Sequence, residues 1–205
     1  MLFALTGCSV SEATQHGMAV DTIQTEDVLL RVDFLNVGQA DCALLSTKGH
    51  YMVIDGGNNG DADTILSYLE GQGVEKLDAV VGTHPHEDHI GSLDAIINHF
   101  DVDAVYMPKI MHTSKTFEDV LDAVANKGLK IKSPSPGDTI DFNGLEIEVL
   151  GPQREYKDFN NNSIVLKVNA GETAFLFTGD AEETAEKDIL QAGYDLQADV
   201  LKVGH

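Results

Sequence analysis

Residues 80–91 read Val-Val-Gly-Thr-His-Pro-His-Glu-Asp-His-Ile-Gly. The apolar start is typical of a buried strand, and the polar part leads into a helix. Pro85 disfavours helical backbone at His84, so His84 and His86 lie two residues apart on extended chain and project to the same side. Asp88 and His89 fall in the first turn of the helix and can point to a second position nearby. This is the ligand supply of a dinuclear metal site, which we prefer over a surface cluster of histidines that a helix start disfavours.

Two later strands end in further candidate ligands. Residues 175–180 read Phe-Leu-Phe-Thr-Gly-Asp, and residues 201–205 read Leu-Lys-Val-Gly-His. The carboxylate of Asp180 and the imidazole of His205 can therefore complete both coordination shells. An Asp after Gly is by itself more often a turn residue, so the argument rests on the combination.

The rest of the chain predicts an α/β sandwich, because strands and helices alternate in its middle while hairpin-like strand pairs occupy its flanks. Strands are predicted at Val28–Val37, Cys42–Ser46, Tyr51–Ile54, Leu77–Val81, Ala104–Met107, Thr139–Phe142, Leu145–Leu150, Ile164–Val168, Ala174–Phe177 and Val200–Val203. Helices are predicted at Thr64–Leu69, Leu93–Phe100, Phe117–Ala125 and Glu182–Ala192.

The composition narrows the class of partner. The 205 residues carry a formal charge of −21, and no Lys/Arg run reverses it locally. Such a surface repels nucleic-acid backbones and anionic membranes, so an anionic substrate would need cations to bind here. The two cysteines are too few for a disulfide framework or a four-thiolate metal site.

Both ends of the sequence suggest further expectations. Leu5-Thr6-Gly7-Cys8 resembles a lipobox, which predicts that residues 1–27 are the remnant of a lipoprotein signal followed by a flexible tether. A lipidated Cys8 would attach the protein to the outer side of a membrane, whereas the alternative is a chance cysteine. The folded domain is expected to span residues 28–205. Because its last strand runs into His205 without a closing helix, we expect the C-terminal part of this domain to be missing.

The order His84, His86, Asp88, His89, Asp180 and His205 resembles the metallo-β-lactamase superfamily. Within it, residues 36–41 (Asn-Val-Gly-Gln-Ala-Asp), 55–57 (Asp-Gly-Gly), 161–163 (Asn-Asn-Ser) and 203–205 (Val-Gly-His) resemble the ComEC-like hydrolase domains of competence proteins. The resemblance implies a four-layered αβ/βα sandwich with two divalent ions at one edge. It implies that His84 and His86 hold the first ion, that Asp88, His89 and His205 hold the second, and that Asp180 bridges them.

One departure bears on the metal. Many superfamily members have a further histidine before the bridging aspartate, whereas this chain reads Asn-Asn-Asn-Ser over residues 160–163. We expect Asn162 to face the site, with a simple Asn-rich turn as the equal alternative. A neutral amide is a poor ligand for zinc but an acceptable one for manganese, so both metals stay open.

Three other residues have competing interpretations. Asp55 either accepts an N–H from a ligand histidine or is a turn residue. His112 and Lys115 flank a helix start, where Thr113 or Ser114 is the expected N-cap. The alternative is a substrate role, with Lys115 contacting a phosphate oxygen.

The sequence therefore predicts a metal-dependent hydrolase in which a hydroxide bridging two zinc or manganese ions attacks the substrate. Asp88 and Asp180 are its predicted catalytic residues. The preferred substrate is a phosphodiester, either a small molecule or a nucleic acid. The alternatives are a hydrolase of lactams or esters, and a catalytically silent protein of the same fold. No protein partner can be inferred.

Overall fold

The computed structural model describes residues 29–205, so Cys8 and the predicted signal remnant and tether over 1–27 lie outside the described residues. The strands are β1 (Arg31–Phe34), β2 (Ala43–Thr47), β3 (His50–Ile54), β4 (Lys76–Leu77), β5 (Ala79–Val81), β6 (Asp101–Val102), β7 (Val105–Tyr106), β8 (Ile131–Lys132), β9 (Thr139–Phe142), β10 (Leu145–Gly151), β11 (Val165–Ala170), β12 (Thr173–Phe177) and β13 (Val200–Lys202). The helices are α1 (Ala62–Gly71), α2 (Glu87–Ile90), α3 (Leu93–His99), α4 (Lys115–Asn126) and α5 (Glu183–Ala192).

Two larger sheets carry the fold. The first has the order β1-β2-β3-β5-β7-β8 and the second the order β13-β12-β11-β10-β9, while β4 and β6 form a separate short pair. Strands β3, β5, β7 and β8 run parallel, as do β12 and β13. Since parallel strands end at the same edge of a sheet, the loops that follow them converge there.

The apolar residues divide into layers because successive strand residues face opposite sides of a sheet. In β2, Leu44 packs toward α1, α3 and α4, whereas Leu45 packs toward the second sheet. In the second sheet, Leu166 faces the first sheet, whereas Val165 packs against α5. Helices, sheet, sheet and helix thus form four layers, which confirms the predicted αβ/βα sandwich.

The predicted strand at Val28–Val37 is too long. Regular pairing covers only Arg31–Phe34, and the chain then enters a loop in which Gly38 has a left-handed φ of 70°. The loop carries Asp41 toward the edge where the parallel strands end. In the described part of the chain, no helix combines the length and apolar character that crossing a bilayer requires.

Candidate metal centre

The first sheet brings two of the quoted motifs together. Ile54 of β3 pairs with Val81 of β5, and the Asp55 N–H donates to the Val81 carbonyl at 2.8 Å. The residues after both strands, Asp55 and Thr83, are therefore neighbours. Thr83 leads directly into His84, whose side chain is fully buried.

Helix α2 is held against the loop after β3 by close backbone contact. The Gly91 N–H donates to the Gly57 carbonyl at 2.8 Å, and the Gly56 N–H donates to the His89 carbonyl. A Cβ on Gly91 would lie 2.2 Å from the backbone carbon of Asn58, so the approach requires glycine there. This packing fixes the backbone that presents His89.

The second sheet supplies the remaining candidate ligands from its own parallel pair. Phe177 of β12 pairs with Lys202 of β13, so the residues that follow each strand lie side by side. Asp180 follows β12, and its N–H donates to Ser163 Oγ at 3.0 Å. His205 follows β13 and is about a quarter exposed, with 28% of its side chain accessible.

The histidines of the first motif meet Asp180 at the junction of the two sheets. His84 Nε2 lies 3.1 Å from His86 Nδ1 and 4.0 Å from Asp180 Oδ2. Asp180 Oδ2 lies 3.3 Å from His89 Nε2. One carboxylate oxygen therefore lies within 4.0 Å of both His84 and His89, whose ring centroids are 4.1 Å apart.

A second group of donors surrounds His89. His205 Nε2 lies 3.6 Å from Asp88 Oδ2 and 3.9 Å from Asp180 Oδ2. The rings of His89 and His205 are stacked with centroids 5.5 Å apart. All six predicted metal ligands thus lie at one edge of the sandwich.

The donor set fits divalent cations. Donor atoms of a tetrahedral zinc site are separated by about 3.3 Å, given metal–ligand distances near 2 Å, and the separations above are comparable. His89 Nε2 and Asp180 Oδ1 are buried and have no hydrogen-bond partner among the described residues. Buried polar atoms are normally satisfied, so these two atoms are well suited to a metal.

The charges of the site favour the same conclusion. Burial, followed by the positive field of His89, lowers the pKa of His84 to about 2, which keeps its imidazole neutral and able to donate to a metal. Burial opposes protonation of His89 as well, but Asp55 and Asp180 outweigh it and raise its pKa to about 10. Positive charge is stabilised at this position, and the same carboxylates would stabilise a divalent cation.

Asp55 orients His89. Its Oδ2 lies 2.9 Å from His89 Nδ1, and Thr83 donates to the same carboxylate through its N–H at 2.7 Å and its hydroxyl at 2.9 Å. An acceptor at Nδ1 holds a proton there, so a metal would displace the proton of Nε2 and bind that nitrogen. Asp55 is 2% exposed and has a left-handed φ of 61°, which Asp tolerates better than most residues.

Asn162 does not face the cluster. Its Oδ1 accepts from the Tyr156 N–H at 3.1 Å, and its Nδ2 donates to the carbonyls of Tyr156 and Asp158. These contacts satisfy the amide within its own loop, so the turn interpretation describes Asn162 better. Ser163 is the residue of this motif that reaches the site, through its bond to Asp180.

His112 and Lys115 lie differently relative to the centre. The His112 ring is 4.6 Å from the ring of Phe159 and 6.3 Å from that of His86, measured between centroids. Lys115 is mostly exposed and pairs with Asp119 on its own helix, so its contacts give no support for a phosphate role. Ser114 caps α4, as the N-cap interpretation expects.

Sequence reasoning missed two charged residues of the site. Asp41 Oδ2 lies 3.7 Å from His89 Nδ1, and Lys202 forms an ion pair with Asp41. Asp41, His89, Asp180 and His205 each offer a ligand atom within 4.8 Å of the others. Asp41 is the last residue of the motif at 36–41, which supported the family resemblance. The resemblance gave no role to the carboxylate of Asp41.

The fold and this centre define a member of the metallo-β-lactamase superfamily, and the sequence model of that family matches residues 35–205. The chain is 28% identical to ComE operon protein 3 of Bacillus subtilis over 193 residues, which are 85% of this chain and 25% of that protein. This similarity confirms the ComEC-like resemblance.

Two further comparisons show how widely the family extends. Hydroxyacylglutathione hydrolase of Aeromonas hydrophila is 32% identical over 107 residues, which cover 52% of this chain and 35% of that protein. The solved structure of Rm3 metallo-beta-lactamase has the same fold, with a TM-score of 0.59 at 12% identity over 87% of this chain and 78% of that one. The chain spans about a quarter to a third of the length of the two curated relatives.

Proposed function

We propose that the protein is a metal-dependent phosphodiesterase with two divalent ions, zinc or manganese, at the centre described above. The observation that carries the metal assignment is the pair of buried atoms His89 Nε2 and Asp180 Oδ1, which lack hydrogen-bond partners among residues 29–205. The rings of His84 and His205 lie beside His89. Members of this superfamily typically bind divalent metals, and the donors here match that chemistry.

The side chains divide the work. His84 and His86 would hold the first ion, and Asp88, His89 and His205 the second, with Asp180 between them. When bound, the ions would activate water as a nucleophile and offset the negative charge that develops on the substrate. Asp88 is 31% exposed at the open side of the cluster, so its carboxylate can accept a proton from an entering water or pass one to a leaving group.

A groove next to His86 provides room for a substrate. It encloses about 450 Å³ and is lined by Met111, Lys157 and Phe159, among others. Phe159 connects the groove to the centre, because its ring centroid is 5.8 Å from that of His86. Lys157 and Glu155 place opposite charges on its lining, so the clearest preference comes from Phe159, which favours a substrate carrying an apolar or planar group.

A second candidate function is hydrolysis of an acyl compound. The relative named hydroxyacylglutathione hydrolase aligns with half of this chain, so its acyl substrate is the specific alternative. A catalytically silent protein of the same fold is the remaining possibility. The charge of −21 favours a small diester over a long duplex, since the chain has no basic run to track a backbone.

Hydrolysis assays separate these functions. Protein stripped with a chelator and resupplied with Mn²⁺ or Zn²⁺ should hydrolyse bis-p-nitrophenyl phosphate faster than it hydrolyses a hydroxyacylglutathione or a chromogenic β-lactam. The Asp180→Asn variant should lose this activity, whereas Asp78→Asn should retain it, because Asp78 precedes β5 and lies at the opposite end of that strand from the centre. Preferential turnover of the acyl substrate would overturn the phosphodiester assignment. Protein that takes up no added metal and hydrolyses none of these substrates would favour the silent alternative.

The location of the protein is a separate proposal. We propose that Cys8 carries a lipid and attaches the domain to the outer face of a membrane, which the lipobox-like residues 5–8 support. The Cys8→Ser variant should then leave the membrane fraction when the natural gene is expressed in its host. Retention of that variant in the membrane fraction would contradict lipid attachment through Cys8.

A further inference from the structure

Lys202 and Asp41 form an ion pair that joins the two sheets at the edge where the metal centre lies. Lys202 belongs to β13 of the second sheet, and Asp41 belongs to the loop that precedes β2 of the first. Both side chains are largely buried, with 17% and 19% of their surface exposed. A buried charge is costly without a partner, so each of these charges depends on the other.

The Asp41 side of the pair contacts the segment that carries two candidate ligands. The Asp41 N–H donates to the Asp88 carbonyl at 3.0 Å, and the Asp41 carbonyl accepts from the Gly57 N–H at 2.8 Å. Its carboxylate lies 3.7 Å from His89 Nδ1. Asp41 is therefore fixed to the backbone of Asp88 and lies beside the ring of His89.

The Lys202 side of the pair holds the segment that ends in His205. Lys202 is three residues before His205, and its carbonyl accepts from the Thr178 N–H at 3.2 Å. Its ammonium also lies 3.4 Å from the carbonyl of Gly179, the residue before Asp180. One lysine thus contacts both strand ends from which the second sheet supplies ligands.

We propose that the Asp41–Lys202 ion pair is a positioning device that holds His205 against Asp88 and His89 and so forms the second divalent-cation position. The proposal rests on the metal assignment made above but not on the identity of the substrate. The two sheets reach the centre from opposite sides, and this pair joins them beside the second group of donors. His84 and His86 come from the first sheet alone, so the first position depends less on it.

The charge balance adds a second reason for the lysine. Asp41, Asp55 and Asp180 place three carboxylates within 3.7 Å of His89, Asp88 places a fourth beside His205, and Lys202 supplies a cation at Asp41. Without the ammonium, Asp41 would repel its neighbours or turn toward the metal itself. Either movement would disturb the separation between Asp88 and His205, which is 3.6 Å.

The test is a calorimetric titration of metal-free protein with Mn²⁺ alone. It compares the wild type with Lys202→Met, Asp41→Asn and Lys202→Arg. We expect wild type to bind two equivalents. Loss of the pair in Lys202→Met or Asp41→Asn should weaken the second equivalent by roughly tenfold or more, as for other residues that position metal ligands, and leave the first within about threefold. Lys202→Arg keeps the charge and should retain most of the affinity for the second ion.

Lys76→Met is the matched control, because it breaks the exposed ion pair with Asp103 far from the centre. It should leave both equivalents unchanged. Thermal melting of each metal-free variant separates positioning from general stability, and if Lys202→Met does not fold, Asp41→Asn decides the question.

Three results would overturn the proposal. The first is unchanged or tighter binding of both ions in Lys202→Met and Asp41→Asn. The second is an equal loss of affinity for both ions together with a lowered melting temperature. The third is failure of Lys202→Arg to retain the affinity for the second ion. Failure of the proposed function would look different. Two bound ions without phosphodiester turnover would contradict the function and leave the role of the ion pair intact.

Discussion

Substitution of Asp55 by Asn tests how the protein prepares His89 for a metal. The carboxylate accepts from the Thr83 N–H at 2.7 Å and from His89 Nδ1 at 2.9 Å. The new amide can still accept from Thr83, but its NH₂ group would then face Nδ1. His89 would then give up its proton at Nδ1 and keep the one on Nε2, which is the buried atom 3.3 Å from Asp180.

A protonated Nε2 cannot bind a metal, so we expect Asp55→Asn to lower the affinity for the second ion roughly 10- to 100-fold, or about 1.4–2.7 kcal/mol. Calorimetry measures the affinity, and ¹⁵N chemical shifts of the His89 ring report its tautomer. Asp78→Asn is a matched control, because Asp78 forms a hydrogen bond of 2.7 Å with His50 and neither residue belongs to the centre. Wild-type affinity with the proton still on Nδ1 in Asp55→Asn would refute the reasoning.

Three further predictions address packing, loop structure and metal linkage. Gly91→Ala should destabilise the protein by about 3 kcal/mol in urea unfolding, because its methyl group would lie 2.2 Å from backbone; a loss below about 1 kcal/mol would show that the loop can move. Asn162→Ala should lower the free energy of unfolding by about 2 kcal/mol through three lost hydrogen bonds, with unchanged metal content by elemental analysis; loss of metal would return Asn162 to the site. Mn²⁺ at 100 times its Kd should stabilise the fold by about 2.7 kcal/mol per site in the same unfolding assay, and an unchanged midpoint would argue against binding to the folded state.

The residue pattern predicted an α/β sandwich with candidate ligands at strand ends, and the family resemblance implied its four layers. Alternating apolar residues identified most strands, and the positions of His84, Asp180 and His205 at strand ends placed them at one edge. These features are local, since periodicity and strand ends can be read within a few residues. The fold then needs only parallel pairing to bring the ends together.

What the sequence could not predict depends on contacts between distant segments. Asp41 and Lys202 are 161 positions apart, so no spacing rule connects them. Asn162 had two equal interpretations, a residue facing the site and a simple turn, and the turn describes it better because backbone groups of its own loop satisfy its amide. The end of β1 was also not predicted. The chain leaves the sheet after Phe34, and the loop that follows places Asp41 at the centre.

The most direct test is anomalous diffraction from crystals grown with Mn²⁺. Two ions should appear within bonding distance of Asp180, one also bound by His84 and His86 and the other by His89 and His205. A single ion, ions bound elsewhere, or a His205 side chain turned away from Asp180 would contradict a dinuclear centre built from both sheets.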